Sequence, residues 1–313
     1  MPTDALVSAT HFSFAAAANT FMWSAMAAAE DAAVLPPHHL LNAFSDINVC
    51  APMVRYSKLP FRALVARYDT HITTTPMILA TEFSRNARAR DSDFSTNDAE
   101  RYTYDLADAH GRTHRVRGAL VCQLASSTAG PLADAAELVQ PYVDGIDLNC
   151  GCPQPWAYAE QLGSYLLRQP ETVADMVRTI KGRVGEGYCV SVKIRIDEDL
   201  QRTDALVRNA LHAGASMLTI HGRTRHQPSQ SVPVNLDAVK FAVESANSCG
   251  LHTAIGTSPG WPVGEDGGSG GLVPTVVNGD IWTRDDAIHH RKATGARGAM
   301  SARGLLANPV RRC

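Results

Sequence analysis

The chain has 313 residues, enough for one large domain with a substantial core or for two smaller ones. It carries 29 Lys and Arg against 31 Asp and Glu, for a formal net charge of −2. Overall charge therefore does not single out nucleic acid as a partner, and any such contact needs a local basic face. Seven cysteines, an odd number without framework spacing, argue against a disulfide scaffold and for a reducing compartment.

Residues 1–45 differ in composition from the rest of the chain. Phe12 to Ala29 carries no charge and is mostly Ala, but Ser13, Asn19, Thr20 and Ser24 dilute an already weak apolar character, so no membrane span is expected. No Lys or Arg occurs before Arg55, which leaves neither the basic start of a signal peptide nor an Arg-rich presequence. The sequence predicts a disordered or loosely helical arm over 1–45 and a cytoplasmic or nuclear address.

A repeated pattern begins after the arm. Eight apolar runs read as strands: Ile47–Ala51, His71–Thr75, Ala119–Leu124, Gly145–Leu148, Cys189–Ile194, Met217–His221, Val273–Asn278 and Gly298–Ser301. Amphipathic stretches lie between them: Lys58–Tyr68, Asp134–Tyr142, Ala157–Leu167, Glu171–Val184, Thr203–Ala213, Leu236–Asn247 and Arg284–Lys292. Thr203 and Thr283 sit where N-caps belong, and Gly214 and Gly295 where helix-ending glycines belong. Strands alternating with helices at this length predict a (β/α)8 TIM barrel over 46–313, with a doubly wound sheet as the other α/β arrangement. No Gly-x-Gly-x-x-Gly follows the first strand, so nothing supports a Rossmann-type dinucleotide site. Gly256 to Gly271 (GTSPGWPVGEDGGSGG) reads as an inserted surface loop. Asn308-Pro309 could open a closing helix, but four residues remain after it, so the barrel is expected to lack most of its last helix.

In a parallel barrel, functional groups gather at the C-terminal ends of the strands. Those ends here carry Ala51-Pro52-Met53-Val54, Gln123, Asn149 with Cys152, Lys193 with Arg195, His221-Gly222-Arg223-Thr224, Asn278-Gly279-Asp280 and Ala302-Arg303. Cys150-Gly151-Cys152-Pro153 admits three readings at this point: a structural pair, a metal half-site without a second cluster, or a catalytic thiol on a loop. A Lys within a strand is unusual in a core. A Gly turn after the seventh strand and an Arg-Gly after the eighth suit a phosphate.

The series resembles the FMN-dependent tRNA-dihydrouridine synthases, most closely the eukaryotic branch that acts on positions 20a and 20b. It is carried in order by Ala51-Pro52-Met53-Val54, Ser57-Lys58-Leu59-Pro60-Phe61-Arg62, Thr75-Pro76-Met77-Ile78, Gly145 to Gln154, Val192 to Arg195, His221 to Thr224, Asn278 to Ile281 and Ala302 to Pro309. The resemblance implies that Pro52, Met53 and Val54 line the flavin ring and that Gln123, Lys193 and His221 contact it. Asn278, Gly279, Asp280, Ala302 and Arg303 would hold the FMN phosphate. Cys152 would protonate C5 of a uracil whose C6 receives a hydride, with NADPH or NADH as electron donor and tRNA as partner. Asn149, Arg195 and Arg223 are then candidate substrate contacts, with Arg225 nearby, and Arg85, Arg88 and Arg90 form a candidate helical basic patch. Family members continue into a helical domain that the sequence does not reach. An FMN barrel reductase of a small pyrimidine-like substrate, or a truncated inactive homologue, are the alternatives.

Overall fold

The computed structural model describes residues 32–253 and 271–310. Eight parallel strands close on themselves: β1 (Asn48–Cys50), β2 (Ile72–Thr74), β3 (Ala119–Ala125), β4 (Gly145–Cys150), β5 (Val190–Arg195), β6 (Met217–His221), β7 (Thr275–Asn278) and β8 (Gly298–Ser301). Each pairs with the next, and β8 returns to β1 through Ala299↔Asn48, Met300↔Val49 and Ser301↔Cys50. That closure makes the sheet a barrel rather than a doubly wound sheet. All seven residues of β3 and all six of β4 are buried, as expected for strands covered on both faces.

The helices pack outside. Pro170–Val184 shows why: Pro170 stands at its first turn, where a missing N–H costs nothing, and Val173, Met176, Val177, Ile180 and Val184 form one buried stripe. Thr283 caps Arg284–Thr294 in a capping box with Asp286, and Gly295 ends that helix at φ +75°. Gly214 (φ +99°) follows Leu200–His212 in the expected place.

The structure corrects several expectations. Thr203 is not a cap: the helix begins a turn earlier, at Leu200, with Asp199 accepting from the Gln201 N–H. Thr203 Oγ1 instead accepts from the Asp197 N–H at 2.9 Å. The stretch expected as one helix over Ala157–Leu167 is broken into Pro155–Ala159 and a 3-10 segment, Gly163–Arg168, because Gln161 and Gly163 both take positive φ. A hairpin, Thr103–Ala107 with Thr113–Arg117, lies between β2 and β3 where no element was expected, and the helical character expected at Arg85, Arg88 and Arg90 falls on two short helices, Ala80–Arg85 and Ala87–Asp93.

The described part of the arm is folded. Helix Pro37–Ala43 inserts Leu40 and Leu41 into a cluster with Ile72, Val121, Met217, Val276 and Met300, so it closes the N-terminal end of the barrel. Gly298 makes room for it, since a Cβ there would lie 2.5 Å from Leu41 Cδ2. Compositional continuity with the Ala-rich stretch hid this helix. Phe12 to Ala29 and residues 256–270 of the inserted loop lie outside the described residues. One short helix, Arg303–Ala307, follows β8, and residues 308–310 are not helical. Among the described residues, no helix is long and apolar enough to cross a membrane.

Candidate active site at the C-terminal rim

The two cysteines of the β4 end have different fates. Cys150 is the last residue of the strand, has no exposed surface, and burial pushes its thiol pKa well above the usual value. Cys152 lies two residues on, in the loop, and is half-buried. The loop is held from three sides. Asn149 Oδ1 accepts from the N–H groups of Gly151 (3.1 Å) and Cys152 (3.0 Å). Arg195 Nε donates to the Gly151 carbonyl at 2.9 Å. The Ser164 N–H donates to the Cys152 carbonyl at 2.9 Å, and Gly163 packs so closely that a Cβ would lie 2.6 Å from Cys152 Cβ. This last brace comes from the break in the expected helix, and Gly163 in an otherwise helical pattern is the signal that could have revealed it. Among the described residues no cluster of three metal-ligating side chains exists, so the metal half-site reading has no support there.

Beneath the loop the barrel interior is polar. Gln123 Nε2 donates to Asp147 Oδ2 (2.7 Å), Ser191 Oγ donates to Asp147 Oδ1 (2.6 Å), and Asn149 Nδ2 donates to Gln123 Oε1 (2.8 Å). Lys193 on β5 reaches past β6 to Asn278 Oδ1 on β7 at 3.1 Å, so both point into the barrel. Burial, then the neighbouring Arg195, brings the Lys193 pKa down to about 8. A lysine so placed is charged at neutral pH, with the Asp147 carboxylate as a neighbouring counter-charge, and it suits a developing negative charge on a ligand. His221, beside Arg223, is held neutral: burial first, then Lys193, Arg195 and Arg223, depress its pKa well below normal.

The far end of the site is a cavity of about 220 Å³ lined by Arg195, His221, Asn278, Gly279, Trp282, Ala302 and Arg303, among others. Gly279 (φ +120°) and Asp280 (φ +49°) make the turn after β7. Only glycine fits at 279, where a Cβ would meet Val234 Cγ2 at 2.8 Å and His221 Cδ2 at 3.1 Å. Asp280 is held by the Arg223 guanidinium and by the Val234 N–H at 2.9 Å, so its carboxylate is already satisfied. Arg303 donates to the Ser229 carbonyl at 3.1 Å and to Asp280 Oδ1 at 3.4 Å, lies 5.0 Å over the Trp282 ring, and is 38% exposed in its side chain. An anion in this cavity meets a partly exposed guanidinium and a glycine turn.

Two expected substrate contacts have other tasks. Arg223 is 1% exposed and spends its donors on Val232 O (2.6 Å) and Asp280. Arg195 is 9% exposed and bridges the Gly151 and Thr224 carbonyls. Both build the rim rather than reach out from it. Arg225 lies 3.4 Å over the Tyr158 ring. Arg85, Arg88 and Arg90 fall on two short helices, and Arg90 donates to the Phe83 and Ser84 carbonyls. Pro52, Met53 and Val54 follow β1 at the same end of the barrel. The turn at Met53 is fixed by Ser57, whose Oγ accepts from the Met53 N–H at 2.9 Å. Fully buried Arg62, paired with Glu100, donates in turn to the Ser57 carbonyl at 2.7 Å. The Arg62–Glu100 pair was not foreseen as part of the site, because the two residues lie 38 positions apart.

A half-buried thiol, a half-buried lysine and a cavity with a partly exposed arginine lie together on one rim of a closed barrel, the end at which barrel enzymes carry their sites. Residues 49–250 and 269–312 match the family described as dihydrouridine synthase (Dus), and the chain belongs to that family. The break in the match, residues 251–268, overlaps the Gly- and Pro-rich stretch. A Mus musculus protein named as a tRNA-dihydrouridine(20a/20b) synthase, NAD(P)+-like, is 41% identical over 278 residues, covering 88% of this chain and 71% of the relative. The tRNA-dihydrouridine(20a/20b) synthase of Schizosaccharomyces pombe is 42% identical over 264 residues, covering 84% of this chain and 68% of the relative. A solved structure of DHODH from Eimeria tenella in complex with ferulenol aligns with a TM-score of 0.54 at 12% identity, covering 95% of this chain and 88% of that one; it shows the shared fold alone.

Proposed function

We propose that the chain is a tRNA-dihydrouridine synthase that reduces the C5–C6 bond of D-loop uridines at 20a and 20b, with FMN as cofactor and NADPH or NADH as electron donor. Membership of the dihydrouridine synthase family and the names of its relatives support the reaction and the positions. The observation that carries the catalytic assignment is the half-buried Cys152 thiol, braced by Asn149 and Gly163 on the same rim as the Arg303 cavity.

The residues present fit FMN. The cavity offers a glycine turn with no side chain at 279 and a partly exposed arginine, the donor set a phosphate needs. Arg303, Gly279 and Ala302 would hold that phosphate, and Asn278 and Asp280 shape the turn beside it. Lys193, Gln123 and His221 would face the ring system, with Pro52, Met53 and Val54 along its edge. When bound, FMN supplies the hydride that C6 of the uracil receives.

The protein's own part is positional and acid–base. Cys152 donates its S–H proton to C5 from the loop and takes a proton back from solvent between turnovers. Lys193 stabilises negative charge that develops beside it. Neutral His221 adds a donor or acceptor without a further cation among Lys193, Arg195 and Arg223. The target base leaves its stack to reach a site at a barrel mouth, and a loop nucleotide does so at least cost. Purified wild-type protein should carry a flavin spectrum and reduce unmodified tRNA with NADPH. Arg303→Ala should lower flavin content about tenfold or more, since a charge-assisted phosphate contact is lost. A protein that binds no flavin under any loading condition would overturn the assignment.

A further inference from the structure

Asp147 takes no part in the chemistry above, yet it is 4% exposed in the barrel interior, where an isolated carboxylate is costly. Its two oxygens are used by Gln123 Nε2 and Ser191 Oγ. Each bond has a consequence for the next. Burial raises the Asp147 pKa, while the hydrogen bonds from Ser191 and Gln123 and the nearby Lys193 charge favour its carboxylate form; a carboxylate only accepts, so Gln123 turns its NH2 toward Asp147. Gln123 Oε1 then faces Asn149 and accepts from Asn149 Nδ2 at 2.8 Å. That leaves Asn149 Oδ1 facing the loop, where it accepts from the Gly151 and Cys152 N–H groups. Reversing one amide alone would set like against like at its outer contact and between the two amides, and reversing both would set N–H against N–H at the loop and oxygen against oxygen at Asp147.

We propose that Asp147 is a positioning residue that fixes the orientation of two successive side-chain amides, Gln123 and Asn149, and through them the loop that carries Cys152. The inference rests on the proposed role of Cys152 for its importance, but not for its test. The chain of bonds runs from β4 to β3 and back to β4, so the strand that ends in the reactive loop also carries the anchor of that loop. Ser191 is the adaptable member: its hydroxyl also lies 3.4 Å from the Ile146 carbonyl and can donate there.

The test exchanges the polarity of the chain and reads the thiol itself. Alkylation of Cys152 by iodoacetamide, followed by peptide mass spectrometry, is compared with alkylation of half-buried Cys249 in the same full-length protein. Asn149→Asp sets a second carboxylate against the single Gln123 amide, so one contact becomes acceptor against acceptor. Cys152 is expected to react about tenfold faster, a coupling within the usual range for hydrogen-bonded neighbours, with Cys249 unchanged. Asp147→Asn alone is expected to change the rate less than about threefold, because Ser191 can turn to accept from the new amide. The double exchange Asp147→Asn with Asn149→Asp reverses the two bonds through Gln123, leaves the Ser191 and loop bonds in their wild-type direction, and should return the Cys152 rate to within about twofold of wild type. If the double variant reacts as fast as Asn149→Asp alone, or if Asn149→Asp leaves the rate unchanged, the proposal is overturned. Should Asn149→Asp fail to fold, a folded double variant with a slow Cys152 supports the proposal, and a double variant that also fails to fold overturns it. Failure of tRNA reduction in the wild type would sink the proposed function and leave this measurement standing.

Discussion

Two lysines, buried Lys181 and half-buried Lys193, divide the barrel into a structural end and a chemical end. Lys181, at the N-terminal end, donates to the Glu186 carbonyl (2.7 Å), the Tyr188 carbonyl (2.8 Å) and Ser216 Oγ (2.9 Å). Its three hydrogens are all spent on the protein. Lys193, at the C-terminal end, makes one hydrogen bond, to Asn278 Oδ1 at 3.1 Å. Burial lowers the pKa of both. The difference lies in saturation: a lysine whose donors are filled ties the loop after helix Pro170–Val184 to β6, whereas one with donors to spare is poised for a ligand.

Exchanging each lysine for methionine should separate the two ends most widely. Lys193→Met is expected to cut the rate of dihydrouridine formation by about 10²–10³ with little change in melting temperature, as removal of one preorganised charge does elsewhere. Lys181→Met should do the reverse, leaving three acceptors near the base unsatisfied and costing about 1–3 kcal/mol of stability for each that water cannot reach. Equal losses of activity for the two variants would erase the distinction.

The base can be probed through its plug. Leu41→Ala empties the space in which Leu41 packs against Gly298 and should cost about 2–5 kcal/mol in chemical denaturation, with activity per folded molecule retained. At the rim, Gly163→Ala adds a Cβ at positive φ directly against Cys152. Its expected cost is about 1–3 kcal/mol, appearing chiefly as a slower reaction with tRNA binding retained.

A pH slope at the base is spread over several pH units. Burial brings His38 down to about 3 and His71 down to about 4. Both are neutral when folded, and His71 Nδ1 accepts from the Asn48 N–H at 3.0 Å. Because their folded pKa values lie below the unfolded 6.5, the unfolded chain binds more protons between pH 6.5 and about 4. Stability is therefore full above pH 6.5 and falls as pH drops through that window, by up to about 1.4 kcal/mol per unit for each fully titrating group. His71→Asn should flatten the slope, and an unchanged slope would assign it to other groups.

The barrel and its rim were legible because both rest on local signals. Eight strands of buried apolar residues alternate with amphipathic helices, and each strand end places its next residues at one face. Cys152, Lys193, Asn278 and Arg303 were found that way and lie on that rim. The hairpin over 103–117 was missed although Thr103–Ala107 and Thr113–Arg117 alternate about the Gly111 turn, because it interrupts the strand–helix rhythm. The plug helix was missed because its burial depends on a hole in the barrel floor that no local pattern announces. The inward arrangement of Arg195 and Arg223 was invisible for a related reason: an arginine at a strand end looks available until its acceptors, Gly151, Thr224, Val232 and Asp280, are brought to it by folding.

The role proposed for this rim depends most on the Cys152 thiol as proton donor for a tRNA uridine. The direct measurement is dihydrouridine at positions 20a and 20b in tRNA from cells lacking this gene, complemented with the wild type or with Cys152→Ala. The wild type should restore dihydrouridine at both positions, and Cys152→Ala should restore about 10²–10⁴-fold less per unit time, the usual loss when a positioned general acid is removed. Restoration by Cys152→Ala at the wild-type rate would contradict the assignment of the proton donor, and no restoration by the wild type would contradict the proposed function.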